Sequence, residues 1–347
     1  MELLSRFLFV VFLHSCGATS NRQCLPGSNI FACILPLFDY EPGKDIPLFN
    51  LSADVTSIRF VKPLYNTLET EYVIHIYDAV LHRQLNSPQA IELIGTNVKE
   101  LEISPNLQYA DFSDNNIQLV HVSTEHPPAL RYLNLNFNKN LRPANISKLV
   151  SLETLVLSRC GFETLPAEVF VNLNRLAHLT LTGNHIKQVE LRQLPPSLVL
   201  LQLNRNWMRT FDFASARMPL LEQLNIEFND LNDLNITVLV AIAPKLRFLA
   251  VGSNPIKRAT LNLILDALNR HNISYYNIEL WSEEICDVDE RRYRGVCIPS
   301  SSFTLEWNDW LDLGLFLCLL LALVVGIAFG VQKLLKKQLL PWQLGAI

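Results

Sequence analysis

The chain has 347 residues, 49% of them hydrophobic and 18% charged, with 29 Lys and Arg against 33 Asp and Glu for a formal net charge of −4. That balance lacks the basic excess of a phosphate-backbone binder, so nucleic acid is not an expected partner. The length admits one or two ordinary domains, and the apolar surplus lies at the two ends.

Residues 1–18 carry Arg6, the seven-residue apolar run FLFVVFL from Phe7 to Leu13, and small residues around Cys16, Gly17 and Ala18. This is the pattern of a secretory signal peptide, and the run is too short to cross a bilayer as a helix. Export implies an oxidising compartment, where cysteines are disulfide candidates. Residues 19–54 are predicted to form an N-terminal cap containing Cys24 and Cys33.

From residue 55 to residue 280 the chain repeats. Matches to L-x-x-L-x-L-x-x-N-x-L begin at Leu107, Leu130, Leu152, Leu176, Leu198, Leu221 and Leu246, spaced by 23, 22, 24, 22, 23 and 25 residues. Weaker units stand around Val55, Ile74 and Ile91, and a degenerate one at Ile273. In L-x-L the leucines share one face of a short strand, because strand side chains alternate. No single unit buries its apolar face alone. Neighbours therefore stack, and the spacing predicts an α/β solenoid with a parallel sheet along its concave face. Asn115, Asn138, Asn184, Asn206, Asn229 and Asn254 recur at the motif's asparagine position, where an amide can satisfy backbone groups of adjacent turns. Cys160 stands in that column between Asn138 and Asn184, which predicts a buried, free structural thiol and not a nucleophile, with an intermolecular disulfide as the alternative.

Residues between the strand leucines are predicted to face outward. Tyr109, Asp111, Tyr132, Asn134, His178, Gln202, Phe248 and Tyr275 are the candidate ligand-binding residues, on a surface that is polar but mostly uncharged. Strand spacing of about 4.8 Å stacks Tyr109 beside Tyr132 and Phe248 beside Tyr275, and such aromatic pairs suit protein binding.

After the repeats come a predicted C-terminal cap at 281–299 with Cys286 and Cys297, and a linker at 300–312. Pairing within each flank, Cys24 with Cys33 and Cys286 with Cys297, is expected, although spacing alone leaves connectivity open. Sequons at Asn50, Asn145, Asn235 and Asn272 fit a secretory route. Leu313 to Val331 is nineteen residues without a charge and reads as a transmembrane helix. Glu306, Asp309 and Asp312 precede it, Trp307 and Trp310 are interfacial anchors, and Lys333, Lys336 and Lys337 follow. The lysines predict a plasma-membrane protein with its N-terminal part outside. Gly326 and Gly330 would let a second helix approach, for a co-receptor or a homo-oligomer. The tail, 332–347, is too short for a signalling domain. No zinc-ligand spacing, phosphate-cradling loop or catalytic constellation is present, so no metal, cofactor or enzymatic activity is expected.

With its repeats and the segment LPAEVFVNLNRL from Leu165 to Leu176, the chain resembles extracellular leucine-rich-repeat proteins. Short repeats, flanking cysteine pairs, one span and a short tail are similar to the transmembrane subgroup of insect leucine-rich immune proteins. The resemblance implies pathogen defence and a protein or pathogen-surface ligand. Secreted members carry a C-terminal cysteine cluster and a coiled coil. Here Cys286 and Cys297 stand singly and no heptads follow, so those members' partners are not carried over. A cell-adhesion or co-receptor protein can share this layout.

Overall fold

The computed structural model describes residues 23–62, 73–123, 126–164, 169–211, 213, 215–275, 286–303 and 307–339. The signal-peptide reading and Leu165 to Glu168 lie outside them. Two compact units are present, Met1–Pro299 and Ser300–Ile347.

The first unit is built on one parallel sheet. Its strands are β1 (Ala32–Pro36), β2 (Ser57–Val61), β4 (Ala90–Glu92), β6 (Tyr109–Asp111), β8 (Tyr132–Asn134), β9 (Thr154–Val156), β10 (His178–Thr180), β11 (Leu200–Gln202), β12 (Gln223–Asn225) and β13 (Phe248–Ala250), hydrogen-bonded in that order. Register is constant: Tyr109 pairs with Tyr132, Tyr132 with Thr154, His178 with Leu200, and Gln223 with Phe248. Leu133, Leu155, Leu179, Leu201, Leu224 and Leu249 therefore form one fully enclosed column. At about 1.5–3 kcal/mol per buried leucine, that column and its partner two residues on (Leu135, Leu157, Leu181, Leu203, Ile226 and Val251) form the spine of the core. The molecule is a leucine-rich-repeat solenoid.

One weak unit is corrected. The segment around Ile74 does not add a strand to the main sheet, because β4 pairs directly with β2 and with β6. Instead β3 (Ile76–Tyr77) joins β5 (Glu100–Ile103) and β7 (Leu119–Val122) in a separate three-stranded parallel sheet. Alternating IHIY satisfies the period-two rule equally well in either sheet, and the repeat pattern alone does not distinguish them. Helix α1 (Ala79–Gln84) follows β3, capped by Asp78, whose side chain accepts from the Leu81 N–H. Inside it His82 is buried, its Nδ1 2.7 Å from the Tyr77 hydroxyl and its Nε2 2.8 Å from Asn106 Oδ1.

Both ends carry a disulfide, Cys24–Cys33 and Cys286–Cys297. At the C-terminal end, helix α2 (Ile236–Ile242) and helix α3 (Arg258–Arg270) replace the irregular connections of the earlier repeats. Leu261, Ile264, Leu265 and Leu268 make a buried i, i+3, i+4, i+7 stripe on α3. A two-residue Arg294-Gly295 loop, both residues at positive φ, closes the hairpin of β14 (Glu290–Tyr293) and β15 (Val296–Pro299). The Tyr293 hydroxyl donates to Asn262 at 2.8 Å and Arg294 meets Asp266 at 2.7 Å, tying the hairpin to α3. The Ser253 N–H donates to the Cys297 carbonyl, which closes the end of the last described repeat.

The second unit contains helix α4 (Trp307–Leu339), of which Gly314–Lys333 is apolar and long enough to cross a membrane. Twenty residues span about 30 Å. Gly326 and Gly330 lie within it with open space around each Cα.

Candidate functional site

The asparagine column supports everything on the sheet above it. Asn184 shows the arrangement: Oδ1 accepts from the backbone N–H groups of Cys160 and Phe162 at 3.0 and 3.2 Å, while Nδ2 donates to the carbonyls of Leu157 and Leu181, both at 2.9 Å. Asn115 bonds the Thr96 and Val98 N–H groups, Asn138 the Ile117 N–H, Asn206 the Ile186 N–H, Asn229 the Met208 N–H and Asn254 the Leu231 N–H. Each amide thus bridges successive repeats, and all but the half-buried Asn115 do so in the buried interior, where an unpaired polar group is costly. Cys160 occupies the column as a buried free thiol, 1% exposed, donating to the Leu135 carbonyl at 3.3 Å and the Ser158 carbonyl at 3.4 Å. Burial pushes its pKa up to about 11, against the weaker opposite pull of a backbone hydrogen bond, so the thiol is protonated and unreactive at neutral pH.

Above this ladder, Tyr109 and Tyr132 are stacked with centroids 4.3 Å apart and planes 5° from parallel. Both rings are half-buried. Beside them Asn134 Nδ2 donates to Asp111 at 2.9 Å, and the other Asp111 oxygen accepts from the Ser113 N–H and hydroxyl. Burial raises the Tyr109 pKa to about 12, helped by Tyr132, Asp111 and Glu92; Tyr132 is raised chiefly by burial. The two hydroxyls therefore remain donors across the physiological range. Farther along the sheet, His178 is exposed with Nδ1 3.2 Å from the Thr154 hydroxyl, and Gln202 Oε1 accepts from Thr180 at 3.4 Å.

The far end differs from the periodic reading. Phe248 is bridged to Ser274, not Tyr275, so the expected Phe248–Tyr275 column is shifted by one residue. The cause is α3, whose compact turns and left-handed Asn272 (φ 55°) return the chain to the sheet one residue out of step with the repeat. The Tyr275 hydroxyl instead accepts from Asn269 of α3 at 3.3 Å. Phe248 is only 9% exposed, and Asn225, Glu227, Ala250 and Gly252 are also buried. The open part of the face is accordingly the region from Tyr109 to Gln202.

Sequence reasoning missed the column just before the asparagines. Asp114, Phe137, Arg159, Gly183, Arg205, Phe228 and Ser253 all have left-handed backbones, with φ from 52° to 70°. Only Gly183 advertises that conformation, since bulky residues rarely adopt it. The Arg159 guanidinium lies 4.8 Å from the Phe137 ring centre, and that of Arg205 lies 4.2 Å from Phe228. A Cβ at Gly183 would approach Arg159 Cγ to 2.9 Å, so glycine also makes room for that side chain. Next to this column, the His185 and Trp207 rings lie 4.3 Å apart with planes 33° from parallel, and Trp207 is 48% exposed. No group of three metal-ligating side chains occurs among the described residues.

The sequons are outside the strands of the main sheet. Asn145 is in a 3-10 turn (Pro143–Lys148), its amide donating to the Val120 carbonyl at 2.8 Å, and Asn235 is the N-cap of α2. Asn50 and Asn272 are exposed.

No protein-family model matches the chain. It is similar to human Toll-like receptor 1, 24% identical over 403 aligned residues that cover 94% of this chain and 50% of that protein. Mouse Tsukushi is 27% identical over 188 residues, 49% of each. The chain thus spans about half the length of these curated relatives. Among solved structures, the leucine-rich-repeat domain of APL1B is 17% identical, with 71% of this chain and 73% of that chain superposed at a TM-score of 0.48.

Proposed function

We propose that this is a cell-surface leucine-rich-repeat protein whose concave sheet binds a protein or pathogen-derived ligand in innate immunity. The observation that carries the reading is the Tyr109–Tyr132 stack with the Asp111–Asn134 pair beside it. Two rings fixed in register by neighbouring strands form a rigid, partly apolar platform, and their hydroxyls together with a carboxylate supply directional polar contacts. Platforms of this kind lose little conformational entropy on binding, which is why aromatic anchors dominate interface energetics. Similarity to a Toll-like receptor along 94% of the chain supports a receptor role. The signal peptide, caps and the orientation with Lys333, Lys336 and Lys337 inside belong to the same reading, as does helix α4 as its membrane anchor.

The test displays the full chain on cells and recovers bound proteins by cross-linking and mass spectrometry, with Tyr109→Ala/Tyr132→Ala as the comparison. Loss of a contact of hot-spot strength lowers recovery of the specific ligand by about tenfold or more. If every recovered interaction survives the double substitution, the concave-face reading fails. Homophilic clustering of the transfected cells with no other ligand would point instead to adhesion.

A further inference from the structure

We propose that the flank beside the concave sheet, centred on Trp207, is a separate binding site for a polyanionic glycan. The flank consists of the left-handed column and the residues just beyond the asparagines. In the repeats beginning at Leu130, Leu152, Leu176 and Leu198 it presents Lys139, Arg159, Lys187, Arg205 and Arg209, all exposed. Opposing them are Glu163, which pairs with Lys187 at 3.0 Å, and Asp230 in the next repeat. An excess of cations in one place is unexpected for a chain of net charge −4, and it sits beside a sheet surface that is largely uncharged. Lys187, Trp207, Arg209 and Asp230 line a depression of about 610 Å³.

The chemistry of this surface selects its ligand class. Trp207 offers one broad aromatic face, braced from behind by the His185 ring, at the edge of a depression large enough for a sugar ring. Arg205 and Arg209 share its repeat, and Lys187, Arg159 and Lys139 stand in the repeats before it. Arg159 is oriented by the Phe137 ring, leaving the guanidinium edge for a bidentate contact with a sulfate or carboxylate. Arg159, Lys187 and Arg209 belong to three successive repeats, whose strands are about 4.8 Å apart, so anionic groups recurring along an extended chain would meet successive cations. A single-stranded nucleic acid would require a series of stacking rings, whereas the rings of Phe137 and Phe228 are covered by arginines. A lipid surface would require an apolar cluster to insert, and the flank has one indole among charges. The sequons at Asn145 and Asn235 are outside these positions.

The inference is independent of the concave-face reading, and one experiment separates them. The full chain in detergent micelles is passed over immobilised heparin at about 0.15 M ionic strength, then eluted with rising salt. Heparan sulfate and alginate serve as competitors representing sulfated animal and carboxylated microbial chains; poly(U) and anionic vesicles are the other arms. Binding is expected to be salt-sensitive and to weaken about tenfold in Trp207→Ala and again in Arg209→Glu, while Tyr109→Ala leaves it unchanged. Stronger competition by heparan sulfate or by alginate names the source, and either supports the site. Absence of binding, equal binding by both flank variants, or stronger competition by poly(U) or vesicles than by the glycans would overturn it. Arg209 is exposed, so Arg209→Glu keeps the test decisive should Trp207→Ala disturb folding.

Discussion

Replacing Asn184 by alanine removes four hydrogen bonds in one step. The amide is 2% exposed, and the groups it serves are two backbone N–H donors, Cys160 and Phe162, and two carbonyls, Leu157 and Leu181. With a net value of about 1 kcal/mol per bond, the loss is about 4 kcal/mol. It would be larger if all four buried groups stayed unsatisfied, and smaller if a water molecule replaced the amide. Domains are stable by about 5–15 kcal/mol, so the variant forfeits a large fraction of the total. Cys160→Ala is the internal comparison: it removes one weak S–H donor, shared between two carbonyls, and one sulfur atom, for about 1–2 kcal/mol. Urea unfolding of the full chain in micelles, followed by tryptophan fluorescence, measures both as midpoint shifts at constant slope. If Asn184→Ala costs less than about 1 kcal/mol, or no more than Cys160→Ala, the ladder is not what holds the repeats in register.

Three further outcomes follow from other positions. With Cys318 replaced by serine, native protein at pH 7 should resist iodoacetamide and react only on unfolding, because the Cys160 pKa is raised to about 11 by burial; rapid native labelling would contradict that environment. Burial lowers the His82 pKa below its ordinary 6.5, so the unfolded state binds the proton more readily. Stability is fully present above pH 6.5, falls as pH drops through the depressed folded value, and then levels off; His82→Gln should flatten that acid limb, and an unchanged limb would exclude His82 as its source. Peptide mapping should find glycan at Asn50, Asn235 and Asn272 and the lowest occupancy at Asn145, whose Nδ2 already bonds Val120; highest occupancy at Asn145 would refute this.

Much of the fold was legible because the repeat encodes both of its structural devices in residue types. Leucines at i and i+2 specify a buried strand face, and asparagine at i+5 specifies the amide that links one repeat to the next. The Tyr109–Tyr132 stack followed from register alone, since equivalent positions in parallel strands lie side by side. Where another element intervenes, the same reasoning slips. IHIY alternates like a concave strand yet belongs to the second sheet, and helix α3 displaces Tyr275 from Phe248 by one residue. The left-handed column was illegible for a different reason. Phenylalanine and arginine do not announce positive φ, and the conformation is enforced by the ladder beneath them. Glu227, two residues beyond Asn225 on the alternation that faces outward elsewhere, is fully buried, which no period records.

Cys160 also has a mechanical meaning. Stacked repeats behave as a one-dimensional series of units joined by nearest-neighbour couplings, and such a series parts at its weakest joint. Side-chain links from Asn184 to the preceding repeat number three, to Cys160 N, Phe162 N and Leu157 O, whereas Cys160 makes one, through sulfur, to Leu135 O. The joint between the repeats of Leu130 and Leu152 relies chiefly on its sheet bonds and the Arg131–Glu153 ion pair. Under tension, the solenoid has a built-in seam there, separating a half that carries the tyrosine platform from a half that carries Trp207.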